Sequence, residues 1–143
     1  MKFCVIASGS KGNMTYIETK EARILIDAGI TLSEAKTRQP EIDFSLVTDI
    51  FITHEHNDHT RYLRTVAKKT NANIYLHKKV FAKLPTDIKA ELKNHNTAFI
   101  EENGHYQFKD FDLLTLGLSH DAASNLGYVF SSNGSSLAYV TDT

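Results

Sequence analysis

Residues 54 to 59 read His-Glu-His-Asn-Asp-His, four side chains of metal-ligand type in the spacing H-x-H-x-D-H. Neutral imidazole and ionised carboxylate are the donors that borderline and harder divalent cations take up. A packed core has little use for so dense a run of them, and solvated surfaces are built mainly from Lys and Glu. A polar loop that happens to be His-rich is the bland alternative, and the density of the run argues against it. His54 and His56 stand two apart, so an extended segment turns both toward one point. Asp58 and His59 follow as neighbours, expected to face different sides. One cation would use three of the four; two would share all four in pairs, with further donors from elsewhere. His120 in Leu118-Ser119-His120-Asp121 and Asp142 in Val140-Thr141-Asp142-Thr143 are the candidates, because each follows a strand-like run as His54 does. Glu55 and Asn57 alternate with the ligands and are expected to face away.

The elements that position this run are strands first. Lys2 to Ala7 and Met14 to Thr19 read as two strands joined by the turn Ser8-Gly9-Ser10-Lys11-Gly12-Asn13, and Ala22 to Asp27 as a third. Thr31 and Glu34 make a T-x-x-E capping box, and Pro40 stops the helix that follows. Asp49 to Thr53 is a brief apolar strand that delivers the chain into His54, so the ligands sit past a strand's C-terminal end, where α/β sheets commonly place sites. Leu63, Val66 and Ala67 form an apolar stripe that predicts one helix over 60–69. Asn73 to His77 reads as a strand, followed by a short basic helix reaching Leu84 before Pro85; residues 87–95 are ambiguous. Further strands are expected at 97–100, 111–118, 126–130 and 136–140, with Asn133-Gly134 as a hairpin turn.

The whole-chain figures bound the class. With 143 residues, 41% hydrophobic and 23% charged, the chain is one domain's worth and can bury a core. It contains no stretch of membrane-spanning length, and its N-terminus lacks the apolar region of a signal peptide. The single cysteine, Cys4, lies in a strand-like run, which fits inert packing and a reducing, cytoplasmic setting. Net charge is −1, but the distribution is uneven. From Thr60 to Thr86 there is no Asp or Glu, while Arg61, Arg64, Lys68, Lys69, Lys78, Lys79 and Lys83 fall in that window. This points to a polyanion beside the metal site, against the alternative of an ordinary solvated helix face. Arg61, Arg64 and Lys68, with Lys11 in the glycine turn, are the candidate nucleic-acid contacts. His77, His95 and His105 have no ligand-like neighbours and read as surface or packing residues.

The run Thr53-His54-Glu55-His56-Asn57-Asp58-His59 resembles the signature of metallo-β-lactamase-fold hydrolases. So do the upstream Leu25-Ile26-Asp27-Ala28-Gly29, the later Ser119-His120-Asp121 and the closing Thr141-Asp142-Thr143. Within that superfamily, Ser8-Gly9-Ser10-Lys11-Gly12-Asn13 followed by Tyr16-Ile17-Glu18 is similar to the YycJ/WalJ-type branch, associated with 5′-to-3′ exonuclease action on DNA. The resemblance implies an αββα sandwich, an α/β (α+β) fold of which this chain would be about the N-terminal half, one mixed sheet with flanking helices. It implies that His54, His56 and His120 hold one metal, that Asp58 and His59 hold a second, and that Asp142 bridges the two. Asp58, His120 and Asp142 are then the catalytic set, and Asp27 supports the site by hydrogen bonding. Two zinc ions, or manganese or iron in their place, would generate hydroxide near neutral pH and clamp an in-line displacement at phosphorus.

One departure matters. The family carries a further His downstream of the bridging Asp, and this sequence ends at Thr143. The domain 1–143 is therefore expected to be truncated after the bridging-Asp motif, or to be completed by a homodimer partner or a second chain, since strands lacking their neighbours are open edges. Two other readings stand beside the DNA phosphodiesterase. One is a hydrolase of another ester, a thioester or lactone, which has no use for the basic window. The other is a non-catalytic half that binds metal or nucleic acid and pairs with another chain.

Overall fold

Ile24-Leu25-Ile26 and Ile50-Phe51-Ile52 are uninterrupted apolar runs, the pattern of strands buried on both faces, and all six residues are inaccessible to solvent. The computed structural model of the chain describes residues 1–119 and 121–141. Six strands form one sheet in sequence order: β1 (Lys2–Ala7), β2 (Met14–Glu18), β3 (Arg23–Ile26), β4 (Asp49–Phe51), β5 (Asn73–Leu76) and β6 (Thr97–Phe99). β1, β2 and β3 are antiparallel, whereas β3 through β6 run parallel. Parallel neighbours need crossovers, and helices supply them. α1 (Leu32–Arg38) lies between β3 and β4, α2 (Asn57–Thr60) and α3 (Leu63–Thr70) between β4 and β5, and α4 (Lys78–Lys83) and α5 (Thr86–Leu92) between β5 and β6. Thr31 caps α1 as expected, its hydroxyl accepting from the Glu34 N–H.

The expected mixed sheet with flanking helices is thus present, and a second sheet packs on its other face. It is an antiparallel meander of β7 (His105–Gln107), β8 (Asp112–Gly117), β9 (Leu126–Ser132) and β10 (Ser135–Tyr139). Asn133 and Gly134 both take positive φ, 51° and 82°, as a two-residue hairpin between β9 and β10 requires. Two cores follow from this layering. Leu25, Ile50, Ile52 and Ile74 meet Leu63, Val66, Val80 and Leu92 on the helical side. Between the sheets, Ile17, Ile24, Ile26 and Phe51 face Leu113, Leu126, Tyr128 and Phe130. Phe51 stacks on Tyr75 at 4.7 Å and meets Tyr128 and Phe130 edge-on at 5.5 and 5.4 Å, arrangements that aromatic quadrupoles favour. Two bonds join the second sheet to the chain just past β4: the Tyr128 hydroxyl donates to the Ile52 carbonyl at 2.6 Å, and the Leu126 N–H to the Thr53 carbonyl at 3.0 Å.

The segment after the histidine run differs from the expectation of one helix over 60–69. It forms two, broken at Tyr62, and the cause is long-range. A continuous helix would use the carbonyls of Asp58 and His59 to accept from residues 62 and 63. Instead the Asp58 carbonyl accepts from the Asn13 N–H and the His59 carbonyl from the Ala28 N–H, both at 2.8 Å, and the Tyr62 N–H turns to the Ala28 carbonyl at 2.9 Å. The apolar stripe is where periodicity puts it: Leu63, Val66 and Ala67 are fully buried on α3. The ambiguous 87–95 stretch contributes α5, which begins after Pro85 and buries Ile88 and Leu92. β7 has no counterpart in the sequence reading, being three residues long and largely exposed.

Candidate metal centre

β3 and β4 are parallel, so both carry their following residues to the same rim of the sheet, and Asp27 and Thr53 meet there. Asp27 has φ 65°, a left-handed conformation that Asp tolerates better than most residues. Its side chain is completely buried, and a buried carboxylate must be satisfied by hydrogen bonds. Asp27 Oδ1 accepts from the Thr53 N–H at 2.8 Å, while Oδ2 accepts from the Thr53 hydroxyl at 2.8 Å and from His59 Nδ1 at 2.6 Å. Asp27 therefore ties the residue before the histidine run to the residue that ends it.

These bonds determine where the imidazole protons sit. A carboxylate only accepts, so His59 Nδ1 carries a proton, and in the neutral ring the lone pair is then on Nε2. Thr53 has a single hydroxyl hydrogen, given to Asp27. Against His54 Nδ1, 2.9 Å away, the Thr53 oxygen therefore accepts, which places a proton on His54 Nδ1 and the lone pair on its Nε2. One carboxylate thus sets the tautomer of two histidines, directly for His59 and through Thr53 for His54.

The His54 and His59 rings lie with centroids 4.2 Å apart, and His56 approaches His54 at 4.7 Å. His54 and His59 are buried, whereas His56 and Asp58 are half-buried. Asp58 and His59 were expected to face different sides. The structure corrects this: on the single turn of α2 their side chains converge, with Asp58 Oδ2 3.6 Å from His59 Nε2. Asn13 stands against the same two atoms. Its amide nitrogen lies 3.1 Å from Asp58 Oδ2 and 3.3 Å from His59 Nε2, and also donates to the Gly9 carbonyl at 2.8 Å. Gly29 permits the close approach of these loops, since a Cβ there would lie 1.9 Å from the Asp58 carbonyl oxygen.

Among the described residues, no group of three or more His, Cys, Asp or Glu side chains meets as one cation-binding cluster. What they hold is a close set in which the His54 ring stands beside both His59 and His56 and Asp58 Oδ2 lies 3.6 Å from His59 Nε2. Imidazole and carboxylate donors with lone pairs fixed by buried second-layer bonds have the chemistry that a zinc, manganese or iron ion takes up. His120 and Asp142 lie outside the described residues. Glu55 accepts from the Ala123 N–H at 2.9 Å, tying the histidine run to the loop that follows β8. Asn57 is exposed, as expected.

The seven basic residues of the acid-free window are all exposed, and none pairs with a carboxylate among the described residues. Arg64 and Lys68 share a face of α3 by their spacing of four, and Arg61 lies over the Tyr62 ring at 5.8 Å. Lys11 is exposed on the glycine turn, in a groove it shares with Ser8, Ser10, Ile30, Glu34 and Arg38. His77 caps α4, with Nδ1 accepting from the Lys79 N–H at 3.1 Å, and His95 pairs with Glu91 at 2.8 Å, so both have structural work, as expected.

Asn13, Thr53 and Glu55 are the site residues that sequence reasoning missed. Each lies within a motif it did single out, but nothing local reveals its bonds.

Comparison with known proteins agrees with this geometry. A family profile described as a β-lactamase superfamily domain matches residues 22–143. The exodeoxyribonuclease YycJ of Bacillus anthracis is 37% identical over 153 aligned positions, covering 100% of this chain and 54% of that protein. Zinc-bound PqqB from Methylobacterium extorquens superposes with a TM-score of 0.74 at 14% identity, over 90% of this chain and 52% of that one. A metallo-β-lactamase from Cronobacter sakazakii gives 0.74 at 13% identity, over 95% and 60%. The chain spans about half the length of the curated relative it matches. With a mixed sheet backed by helices, a second sheet facing it and the H-x-H-x-D-H run on the rim, the chain belongs to the β-lactamase superfamily and has the metallo-β-lactamase fold.

Proposed function

We propose that this chain carries the metal-binding core of a DNA phosphodiesterase of 5′-to-3′ exonuclease type. The observation that carries the reading is the pairing of Asp58 Oδ2 with His59 Nε2 at 3.6 Å, the latter held by Asp27 through Nδ1. His54 and His56, with His120, would hold one ion, and Asp58 and His59, with Asp142, a second; Asp58, His120 and Asp142 are the proposed catalytic set. The chemistry that such divalent ions, zinc before manganese or iron, would supply there is Lewis acidity that lowers the pKa of water and offsets charge on a phosphate. Asp27 and Thr53 hold Nδ1 of the two imidazoles by hydrogen bonds, which leaves Nε2 as the ring atom that would face an ion. Arg61, Arg64, Lys68 and Lys11 bind backbone phosphates of the substrate.

Support for DNA comes from the basic residues that follow the ligand run, which pair with no carboxylate among the described residues, and from the name of the Bacillus anthracis relative. Because the chain spans about half of that relative, the activity belongs to a polypeptide or assembly that completes the site. No helix among the described residues is long and apolar enough to cross a membrane. The single cysteine, Cys4, is free and fits a reducing compartment, so we place the protein in the cytoplasm. The test is nucleotide release from 5′-phosphorylated DNA by the full-length polypeptide with zinc or manganese added. His56→Ala and Asp58→Ala should each abolish it, and release that survives both overturns the reading.

A further inference from the structure

We propose that Asn13 is a positioning residue for the Asp58–His59 pair, its side-chain amide presetting both donors before a cation arrives. The inference rests on the reading of Asp58 and His59 as ligands, and names a residue that reading does not contain. The orientation of the amide follows from its surroundings. Asn13 Oδ1 accepts from the Gly9 N–H at 3.1 Å, so the NH₂ group faces the other way, toward Asp58 and His59. There it has four acceptors for two hydrogens: the Gly9 carbonyl at 2.8 Å, Asp58 Oδ2 at 3.1 Å, and the Asp58 carbonyl and His59 Nε2 at 3.3 Å each. Asp27 already holds the proton of His59 on Nδ1, leaving Nε2 as an acceptor toward Asn13.

The backbone of the same residue completes the grip. The Asn13 N–H donates to the Asp58 carbonyl at 2.8 Å, and its carbonyl accepts from the Gly29 N–H at 2.9 Å. Asn13 is 7% exposed, and its side chain bonds to a segment 45 residues away. The Gly9 bonds alone would make it an ordinary turn residue. Contact with both donor atoms of one pair is a different matter. Half-buried Asp58 has rotamers to lose, and the Asn13 amide fixes one of them in advance. Uptake of a cation need displace only the long contact to Nε2, leaving the shorter bonds to Gly9 and Asp58 to hold the carboxylate.

The test is cation binding by the full-length polypeptide, with zinc affinity measured against a competing chelator and geometry read from the visible spectrum of the cobalt(II)-substituted protein. Asn13→Ala should weaken the equivalent held by Asp58 and His59 by about 10- to 100-fold, the usual effect of losing an outer partner. It should alter that ion's cobalt spectrum while the equivalent held by His54 and His56 stays as tight. Asn13→Ser keeps a turn-forming residue and the backbone bonds but has a side chain too short to span both donors; it should fall between the two and decides the matter if the alanine variant does not fold. An unchanged or tighter second equivalent in both variants overturns the proposal. Asp58→Ala separates the two readings: if it too leaves both equivalents intact, the ligand assignment has failed rather than the role of Asn13.

Discussion

Asp27 grips Thr53 twice, Oδ1 on the backbone N–H and Oδ2 on the hydroxyl, each at 2.8 Å. Because that hydroxyl spends its only hydrogen on Asp27, its oxygen is left to accept from His54. Thr53→Val keeps the shape and removes the relay. It strands a buried carboxylate with one donor fewer, so the domain should lose about 1 to 3 kcal/mol, read by denaturant unfolding without metal. Zinc held by His54 should weaken as well, because its tautomer is no longer set. A variant as stable and as tight-binding as the parent would refute the relay.

Gly29→Ala should be more damaging than the loss of a methyl-sized gap suggests. The added Cβ would lie 1.9 Å from the Asp58 carbonyl oxygen and 2.4 Å from the Asn13 nitrogen, backbone atoms that have nowhere to retreat. Overpacking of a well-filled site commonly costs about 1 to 3 kcal/mol, and a backbone clash should reach the upper end or exceed it. Thermal unfolding measures the loss, and a melting temperature within a degree of the parent would contradict the close approach.

Replacing Arg64 and Lys68 by alanine separates a nuclease from a hydrolase of uncharged esters. Each phosphate contact removed should lower the slope of log affinity against log salt by about 1. Turnover of a short oligonucleotide at saturating concentration should stay as it was. Titrations at several salt concentrations give the slope, and an unchanged slope in the double variant would remove α3 from the DNA path.

Alkaline pH should unfold the domain through two phenols, one half-buried and one fully buried. Burial, with the charge of Asp49 and its hydrogen bond adding to it, pushes Tyr75 up to about 12 from the ordinary 10.0. Burial, with the charge of Asp27 beside it, lifts Tyr128 well above 10.0. Folded pKa values raised in this direction leave stability intact below pH 10, where both states are protonated. As pH rises from 10 toward 12 the unfolded phenols ionise first, and stability falls. Melting temperature against pH, with tyrosinate absorbance lagging until unfolding, is the check.

The chemistry of this chain was easier to read than its supports. His54, His56, Asp58 and His59 fall within six residues, so the case for a cation site rests on types and spacing that need no fold. The apolar stripe of Leu63, Val66 and Ala67 is equally local and fell where periodicity placed it. The break at Tyr62 was invisible because it depends on Asn13 and Ala28 claiming the carbonyls of Asp58 and His59, a competition settled only when three loops meet. The same distance hid the roles of Asn13 and Thr53. It also misdirected the reading of Asp58 and His59: neighbours on an extended chain point apart, but on one turn of helix they converge. β7 escaped because a three-residue, mostly polar strand has no period to detect.

The two bonds that join the second sheet to the segment after β4 bear on motion as well as shape. The Tyr128 hydroxyl on the Ile52 carbonyl and the Leu126 N–H on the Thr53 carbonyl clasp the two residues that precede His54. Breaking them requires the sheets to part around Phe51 and Phe130, which is unfolding of the domain rather than breathing of a loop. The floor under the histidines thus belongs to the slowest-opening unit of the chain. The Leu126 amide should exchange its proton only on the timescale of global unfolding, while the exposed Ser10-Lys11 tip of the glycine turn exchanges freely. The hydrogen bonds that Asp27 and Thr53 make to the histidines rest on that floor and should persist while the rim above them moves.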